Sequence, residues 1–117
     1  MSLVNQSGSI ADLLQAVRDF RDARDWRQFH SPKNLSMSIA IEAAELMEHF
    51  QWLTVEEAEA LVQANPSKEA IAEELADVLI YCFSLADVLG VNIAEIMLDK
   101  LAKSALKYPM DTYRGKF

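Results

Sequence analysis

Two long helix-forming segments, each with carboxylates three residues apart among apolar side chains, constrain the fold more than any other feature of the sequence. Residues 35–52 and 73–87 contain neither glycine nor proline and are rich in helix formers. Residues three apart lie on adjacent turns of one helix face, so each segment carries an acidic stripe. Carboxylates among apolar residues are costly to bury unless a cation meets them, which predicts one divalent metal site between the two helices. The four carboxylates are Glu42 and Glu45 in the first segment and Glu74 and Asp77 in the second.

The chemistry of these carboxylates favours Mg²⁺, which takes hard oxygen ligands in near-octahedral geometry and keeps several waters. Any acidic helix also produces the E-x-x-E spacing by chance, so a structural role for the carboxylates stays open. A di-iron helical bundle would need E-x-x-H pairs, but the third position after Glu45 is Glu48 and the third after Asp77 is Ile80. Di-iron chemistry is therefore disfavoured.

The length and charge of the chain limit its class. It has 117 residues, a formal net charge of −7 and no basic cluster, which predicts one domain and disfavours a nucleic-acid partner held through phosphates. Cys82 is the only cysteine, so no internal disulfide can form, and we expect it to pack in the core. The most apolar run, residues 78–86, is too short to span a bilayer, and no secretory signal pattern precedes it. We therefore expect a cytoplasmic protein that binds no membrane.

Helix start and stop signals predict an all-α four-helix bundle. We expect a single domain over residues 9–109, between a flexible lead at 1–8 and a loosely ordered tail at 110–117. Pro32 disfavours helix at the preceding residue and marks a loop. The long helices are predicted at about residues 9–27, 34–50, 67–89 and 92–108, with a short helix at about 54–63 that begins at the capping box of Thr54 and Glu57.

The predicted helix over 67–89 also bears on assembly. From residue 78 to its end it is apolar nearly all round, apart from Ser84 and Asp87. Such a helix must be covered on more than one side. A chain of this length cannot supply all of that cover, so we predict a homo-oligomer, either a dimer or a tetramer built as a dimer of dimers, with this helix near the interface.

Two further groups of residues permit either a functional or a structural interpretation. Lys100, Lys103 and Lys107 share one face of the last long helix, where they could hold phosphates. On spacing alone, stabilisation of the helix C-terminus by cations is the favoured interpretation. Trp26 and Trp52 lie at the ends of predicted helices, where indole rings stack on a nucleobase or, more often, seal the end of a core.

Five short motifs occur in a fixed order along nearly the whole predicted domain. They are F-R-D-A-R-D-W-R-Q-F-H-S-P-K-N-L at 20–35, E-A-A-E at 42–45, F-Q-W at 50–52, E-L-A-D at 74–77 and K-Y-P at 107–109. Twenty-eight residues separate the two acidic motifs, which alone would be a loose pattern. In this combination the chain resembles the MazG-like all-α nucleoside triphosphate pyrophosphatases, and among them the short dCTP-pyrophosphatase type.

The resemblance implies an enzyme that hydrolyses a nucleoside or deoxynucleoside triphosphate, dCTP-like or non-canonical, to the monophosphate and pyrophosphate, as house-cleaning of the nucleotide pool. It implies Mg²⁺ as the cofactor, or Mn²⁺ in its place. By the family pattern the metal ligands are Glu42, Glu45, Glu74 and Asp77. Glu45 would also orient or deprotonate the attacking water, with Glu48 supporting it from behind.

The same resemblance implies which residues contact the substrate. The family's nucleoside pocket corresponds to Trp26, His30, Trp52 and Tyr81, and in family members it is completed across a subunit interface. Positions that face the phosphates correspond to Lys100, Lys107 and Tyr108. Ser104 stands where many relatives have Asn, a departure that puts the preference for base and sugar in question.

Other functions stay open at this point. Within the same superfamily the alternatives are dUTPase-like and phosphoribosyl-ATP pyrophosphohydrolase activity. A different class is a non-enzymatic helical dimerisation module whose carboxylates are structural. Turnover that depends on a divalent metal separates the enzymes from the dimerisation module.

Overall fold

The computed structural model describes residues 8–116, and within this range the chain is helical with no β-strand. The all-α prediction is confirmed. Residues 1–7 of the predicted flexible lead and Phe117 of the predicted tail lie outside the described residues. The helices are α1 Ile10–Ala23, α2 Pro32–Glu48, α3 Val55–Leu61, α4 Ser67–Leu89, α5 Ile93–Lys107 and α6 Met110–Tyr113, with a 3-10 turn at Arg27–Phe29 between α1 and α2.

Side-chain caps fix where four of these helices begin. The hydroxyl of Ser9 accepts the N–H of Asp12 before α1, and the side chain of Asn92 accepts that of Glu95 before α5. Such caps satisfy backbone donors that have no partner inside the helix. Ser31 caps α2, so this helix begins at Pro32, two residues earlier than predicted, because proline is favoured in the first helical position.

The capping box at α3 has the predicted form. The Thr54 hydroxyl accepts the Glu57 N–H at 3.1 Å, and the Glu57 carboxylate accepts the Thr54 N–H at 2.9 Å. We expect Thr54→Ala to lower the free energy of unfolding by about 1 kcal/mol, because one helix-end donor loses its partner. Urea titration measures the change, and Thr54→Ser, which keeps the hydroxyl, is the control. Equal stability of the Ala and Ser variants would contradict this expectation.

The end of α1 differs from the prediction. The helix stops at Ala23 rather than near residue 27, because Asp25 adopts a left-handed backbone conformation with φ of 52°. The N–H of Trp26 then turns back to the carbonyl of Arg21 at 3.1 Å. The chain therefore leaves α1 in a tight turn that brings Trp26 back beside the helix.

Three helices form the packed part of the described chain. α2 lies along α4, and α1 packs against the same helix. The helix α4 has the predicted bounds and ends at Gly90, whose φ of 70° suits glycine at a helix C-terminus. Cys82 is half-buried rather than enclosed in the core. The buried apolar residues among those described are Leu35, Ala86 and Ile93.

The last long helix departs from a regular four-helix bundle. α5 makes a 98° bend with α4 and touches the other helices only sparsely. Its apolar residues at positions 96, 97, 98, 101 and 106 are exposed, as are Leu75, Leu79 and Ile80 on α4. These surfaces fit the predicted homo-oligomer, which stays a prediction. The tail predicted to be loosely ordered contains the short helix α6.

The structure also bears on membrane crossing. Over the described residues, no single helix is long and apolar enough to cross a bilayer. The bent pair of α4 and α5 reaches that length and composition only when both helices are counted together.

Candidate metal centre and adjoining cleft

Three carboxylates from two helices meet where α2 lies along α4. Glu42 and Glu45 come from adjacent turns of α2, and Glu74 comes from α4. One oxygen of each lies within 4.8 Å of the others. The spacing of three residues on α2 and the packing of the two helices together create this cluster.

The electrostatics of the cluster are unfavourable without a cation. One carboxylate oxygen of Glu42 and one of Glu74 are buried and accept no hydrogen bond. Burial, followed by the proximity of Glu45, raises the pKa of Glu42 to about 7. Burial and the charge of Glu45 also raise the pKa of Glu74. Hard oxygen donors that are crowded and lack partners fit a Mg²⁺ or Mn²⁺ ion well.

The two other carboxylates predicted for this site lie differently. Asp77, one turn after Glu74, is close enough for its charge to raise the pKa of Glu42 and Glu74, but it lines the adjoining cleft rather than joining the three-oxygen cluster. Glu48 is the last residue of α2 and is exposed. No described contact links it to the cluster.

A cleft of about 190 Å³ opens beside the acidic cluster, between α1 and α4. Its walls bring together three of the four residues predicted for the nucleoside pocket. The lining residues are Val17, Phe20, Arg21, Trp26, His30, Asp77, Ile80, Tyr81 and Ser84. Asp77 lines the cleft and lies one turn after Glu74 of the acidic cluster. The same surface of α4 therefore contributes residues to the cleft and to the cluster.

The polar groups in the cleft are sparse. The Nδ1 atom of His30 is buried and has no hydrogen-bond partner. Burial, followed by the positive charge of Arg21, lowers the pKa of His30 and favours the neutral imidazole. The Ser84 hydroxyl donates to the carbonyl of Ile80 at 3.0 Å. Of these groups, His30 is therefore the one with an unused polar atom.

Aromatic and cationic contacts hold Trp26 at the cleft. Its ring meets that of Phe20 edge-on at a centroid distance of 5.7 Å. The guanidinium of Arg24 lies 3.6 Å from the Phe20 ring centroid and also donates to the Phe20 carbonyl. The indole is thus oriented by its neighbours, and part of it stays exposed.

The structure does not bring the remaining predicted substrate residues to the cleft of the same chain. Trp52, with 86% of its surface exposed, lies in the turn after α2 and does not line the cleft. Lys100 and Ser104 lie on α5, which turns away from α4. Lys107 and Tyr108 lie at the end of that helix, with the lysine Nζ 5.3 Å from the tyrosine ring centroid.

Sequence reasoning missed an ion-pair cluster at the cleft. Arg21, whose side chain is 2% exposed, donates to Asp87 at 2.7 Å and to Asp22 at 2.9 Å. Arg18 donates to the same Asp87 carboxylate at 2.7 Å. The sequence feature that could have revealed this cluster is Asp87, a carboxylate near the end of an otherwise apolar helix, because a buried carboxylate requires a cation. Two arginines three residues apart on α1 supply it.

The raised pKa of Glu42 predicts a pH-dependent stability of the metal-free protein. As pH rises from about 4.5 through about 7, the unfolded chain has released this proton while the folded chain still holds it. The stability that the Glu42 carboxyl contributes to the folded state is therefore lost over this pH range, and the Tm of the metal-free protein falls. Differential scanning fluorimetry with chelator, for wild type and Glu42→Gln, isolates the contribution of Glu42. Parallel Tm curves for the two proteins would contradict the assignment.

Comparison with known proteins shows the family and the fold of this chain. A sequence model of the MazG-like family matches residues 37–115. The chain is 38% identical over 109 residues to dCTP pyrophosphatase 1 of Mus musculus and 36% identical over 107 residues to that of Homo sapiens. Each match covers 92% of this chain but only 63% of the relative, so the chain spans under two thirds of these curated relatives. A solved pyrophosphatase of Archaeoglobus fulgidus superposes with a TM-score of 0.80 at 44% identity, covering 86% of this chain and 92% of that one.

The fold and the site define a class: an all-helical protein with an acidic cluster between two helices and an aromatic cleft beside it. The family match covers both acidic motifs and the final helices. The chain belongs to the MazG-like family.

Proposed function

We propose that this protein is a nucleotide pyrophosphohydrolase that converts a nucleoside or deoxynucleoside triphosphate to its monophosphate and pyrophosphate with Mg²⁺. The observation that carries the proposal is the three-carboxylate cluster that adjoins a cleft lined by Trp26, His30 and Tyr81. The cluster can hold the cations that bind a triphosphate, and the cleft offers an aromatic surface on which a base can stack. The names of the curated relatives and of the solved relative support the same reaction.

Under this proposal the acidic residues hold the metal. Glu42, Glu45 and Glu74 supply its carboxylate ligands, and Asp77 supplies a fourth from one turn along α4. When bound, the ion neutralises phosphate charge and lowers the pKa of a water molecule. Glu45 is the exposed member of the cluster, which gives it access to that water as the orienting or accepting base. Glu48, one turn further along α2, would support Glu45 from behind.

The cleft residues would bind the nucleoside. Trp26 presents an oriented, partly exposed indole on which a base can stack. The free Nδ1 of His30 offers a polar contact to the edge of the base or to the sugar. Tyr81 closes the wall on the α4 side. We propose a dCTP-like or non-canonical base for this cleft.

A second subunit would complete the site. Lys100, Ser104 and Lys107 lie on α5, which turns away from the cleft of its own chain and exposes an apolar surface. Apolar surface of this kind is covered in homo-oligomers. We propose a dimer, or a tetramer of two dimers. In this assembly, α5 of the partner subunit, together with the partner's Trp52 and the partner's Tyr108, approaches the bound nucleotide. The net charge of −7 disfavours a nucleic-acid partner. We propose a cytoplasmic house-cleaning role without a membrane partner.

The experiment that tests the function is pyrophosphate release from a panel of canonical and modified NTPs and dNTPs, with Mg²⁺, with Mn²⁺ and with chelator. We expect metal-dependent release concentrated on cytosine deoxynucleotides. Release from another base would keep the reaction and discard the dCTP preference. An absence of release from every nucleotide by a folded, metal-loaded protein would overturn the proposal and favour a dimerisation module.

A further inference from the structure

The two walls of the cleft are joined through Asp87, in the last turn of α4. Its two carboxylate oxygens accept hydrogen bonds from Arg18 and Arg21 of α1, both at 2.7 Å. Among the side-chain hydrogen bonds seen in residues 8–116, these link different helices, whereas the others join positions no more than five apart. The polar link across the cleft therefore depends on Asp87.

The bond between Asp87 and Arg21 is shielded from water, whereas the side chain of Arg18 is 39% exposed. The side chains of Asp87 and Arg21 are 10% and 2% exposed. Burial alone would raise the pKa of Asp87, but the hydrogen bonds from Arg18 and Arg21 outweigh it and lower the pKa. The carboxylate thus stays charged in the folded protein. A buried, charge-assisted pair with short bonds has little freedom to shift.

Arg21 connects this ion-pair link to the aromatic residues of the cleft. The side chain of Arg21 lines the cleft, and its carbonyl accepts the N–H of Trp26 at 3.1 Å. The charge of the same arginine acts on His30 across the cleft. The side chain of Arg21 is held by Asp87, whereas its backbone carbonyl holds Trp26. A shift of α1 relative to α4 would therefore move Trp26 and change the surroundings of His30.

We propose that Asp87 is a positioning residue for the cleft: by holding Arg18 and Arg21 it sets the separation of α1 and α4, and with it the fit of the nucleoside. Asp87 neither lines the cleft nor joins the acidic cluster, and it acts through Arg21. This inference rests on the proposed function for the identity of the ligand. The placement of Trp26 can be measured without any ligand.

The first test follows Trp26 directly. Trp52→Phe leaves Trp26 as the sole tryptophan reporter. In that background Asp87→Glu, which keeps the charge but lengthens the side chain, is expected to red-shift the emission and increase its quenching by acrylamide. The matched control is Asp22→Asn, because Asp22 also pairs with Arg21 but lies on α1 and bridges nothing. We expect the control to leave both signals unchanged.

The second test uses kinetics with the full set of tryptophans. Asp87→Glu is expected to raise KM for the preferred nucleotide about tenfold and to leave kcat within about twofold, since misplacement of a binding wall weakens binding before chemistry. Arg18→Gln, which removes one of the two cations, should act in the same direction but less. Asp22→Asn should keep the wild-type KM.

The outcomes separate this inference from the proposed function. Wild-type quenching and KM in folded Asp87→Glu and Arg18→Gln would overturn the inference, and so would an equal effect of Asp22→Asn. If wild type turns over no nucleotide, the proposed function fails, and the quenching of Trp26 alone decides whether Asp87 positions the cleft. Asp87→Asn is a stricter variant, and if it fails to fold the other two variants decide.

Discussion

Under the proposed function, Glu74→Gln is expected to lower metal-dependent pyrophosphate release by at least about 100-fold, because it removes one proposed ligand of the divalent ion. The same change should raise the Tm of the metal-free protein. Glu74 carries a buried oxygen without a partner and is crowded by Glu45, so a neutral amide relieves like-charge repulsion. Lower activity together with higher stability would mark a residue kept for binding rather than for folding.

The chain offers a matched control for this prediction. Glu73 is adjacent on α4, is exposed, and does not join the acidic cluster. Glu73→Gln should leave both the turnover and the Tm near wild type. Pyrophosphate release and scanning fluorimetry, each with Mg²⁺ and with chelator, measure the two effects. If Glu74→Gln retained wild-type turnover, the assignment of Glu74 to the metal centre would be wrong.

Arg21→Met is expected to lower the free energy of unfolding by about 3–5 kcal/mol, because it leaves a buried carboxylate without one of its cations. Methionine keeps much of the length of the arginine side chain, so the loss reports charge pairing more than volume. The affected groups are Asp87, which is nearly buried, and Asp22, which is more exposed. Urea denaturation with a fixed m-value measures the change.

Arg24→Met is the control for Arg21→Met. It removes the same group only three positions away, but Arg24 is exposed and stacks on Phe20 instead of pairing with a carboxylate. We expect a loss below about 1 kcal/mol, the usual size of an exposed cation–π contact. Similar losses for both variants would show that the Asp87 cluster does not stabilise the fold as described.

The sequence predicted the helices well and their ends less well. Local caps such as Thr54 and Asn92, and the stop at Gly90, depend on neighbouring residues and can be recognised from them. The early end of α1 depends on Asp25 in a left-handed conformation, which few sequence patterns reveal. α2 begins at Pro32 rather than at about residue 34, because proline restricts only the residue before it and itself suits the first helical position.

Residue spacing alone predicted the candidate site only where the site depends on the faces of α2 and α4, whereas Trp26, His30 and Tyr81 were predicted from the family resemblance. The spacing of Glu42, Glu45 and Glu74 places carboxylates on the faces that meet when two helices pack. The ion pairs to Asp87 connect positions 66 and 69 apart in the sequence, so no local pattern specifies them. α5 is bent by 98° from α4, and no local sequence pattern specifies that bend, so the separation of its residues from the cleft could not be predicted.

One consequence of α4 concerns the length of a ligand. Glu74 and Tyr81 are seven residues apart on a single uninterrupted helix, which fixes about 10 Å along its axis between the acidic cluster and the aromatic wall. The helix therefore holds the acidic cluster and the aromatic wall at a fixed separation. A molecule must span that distance to reach both ends, as a nucleoside with a chain of phosphates does. A free nucleoside or pyrophosphate alone would reach one end only. The protein would therefore select ligands by their length before it selects them by their base.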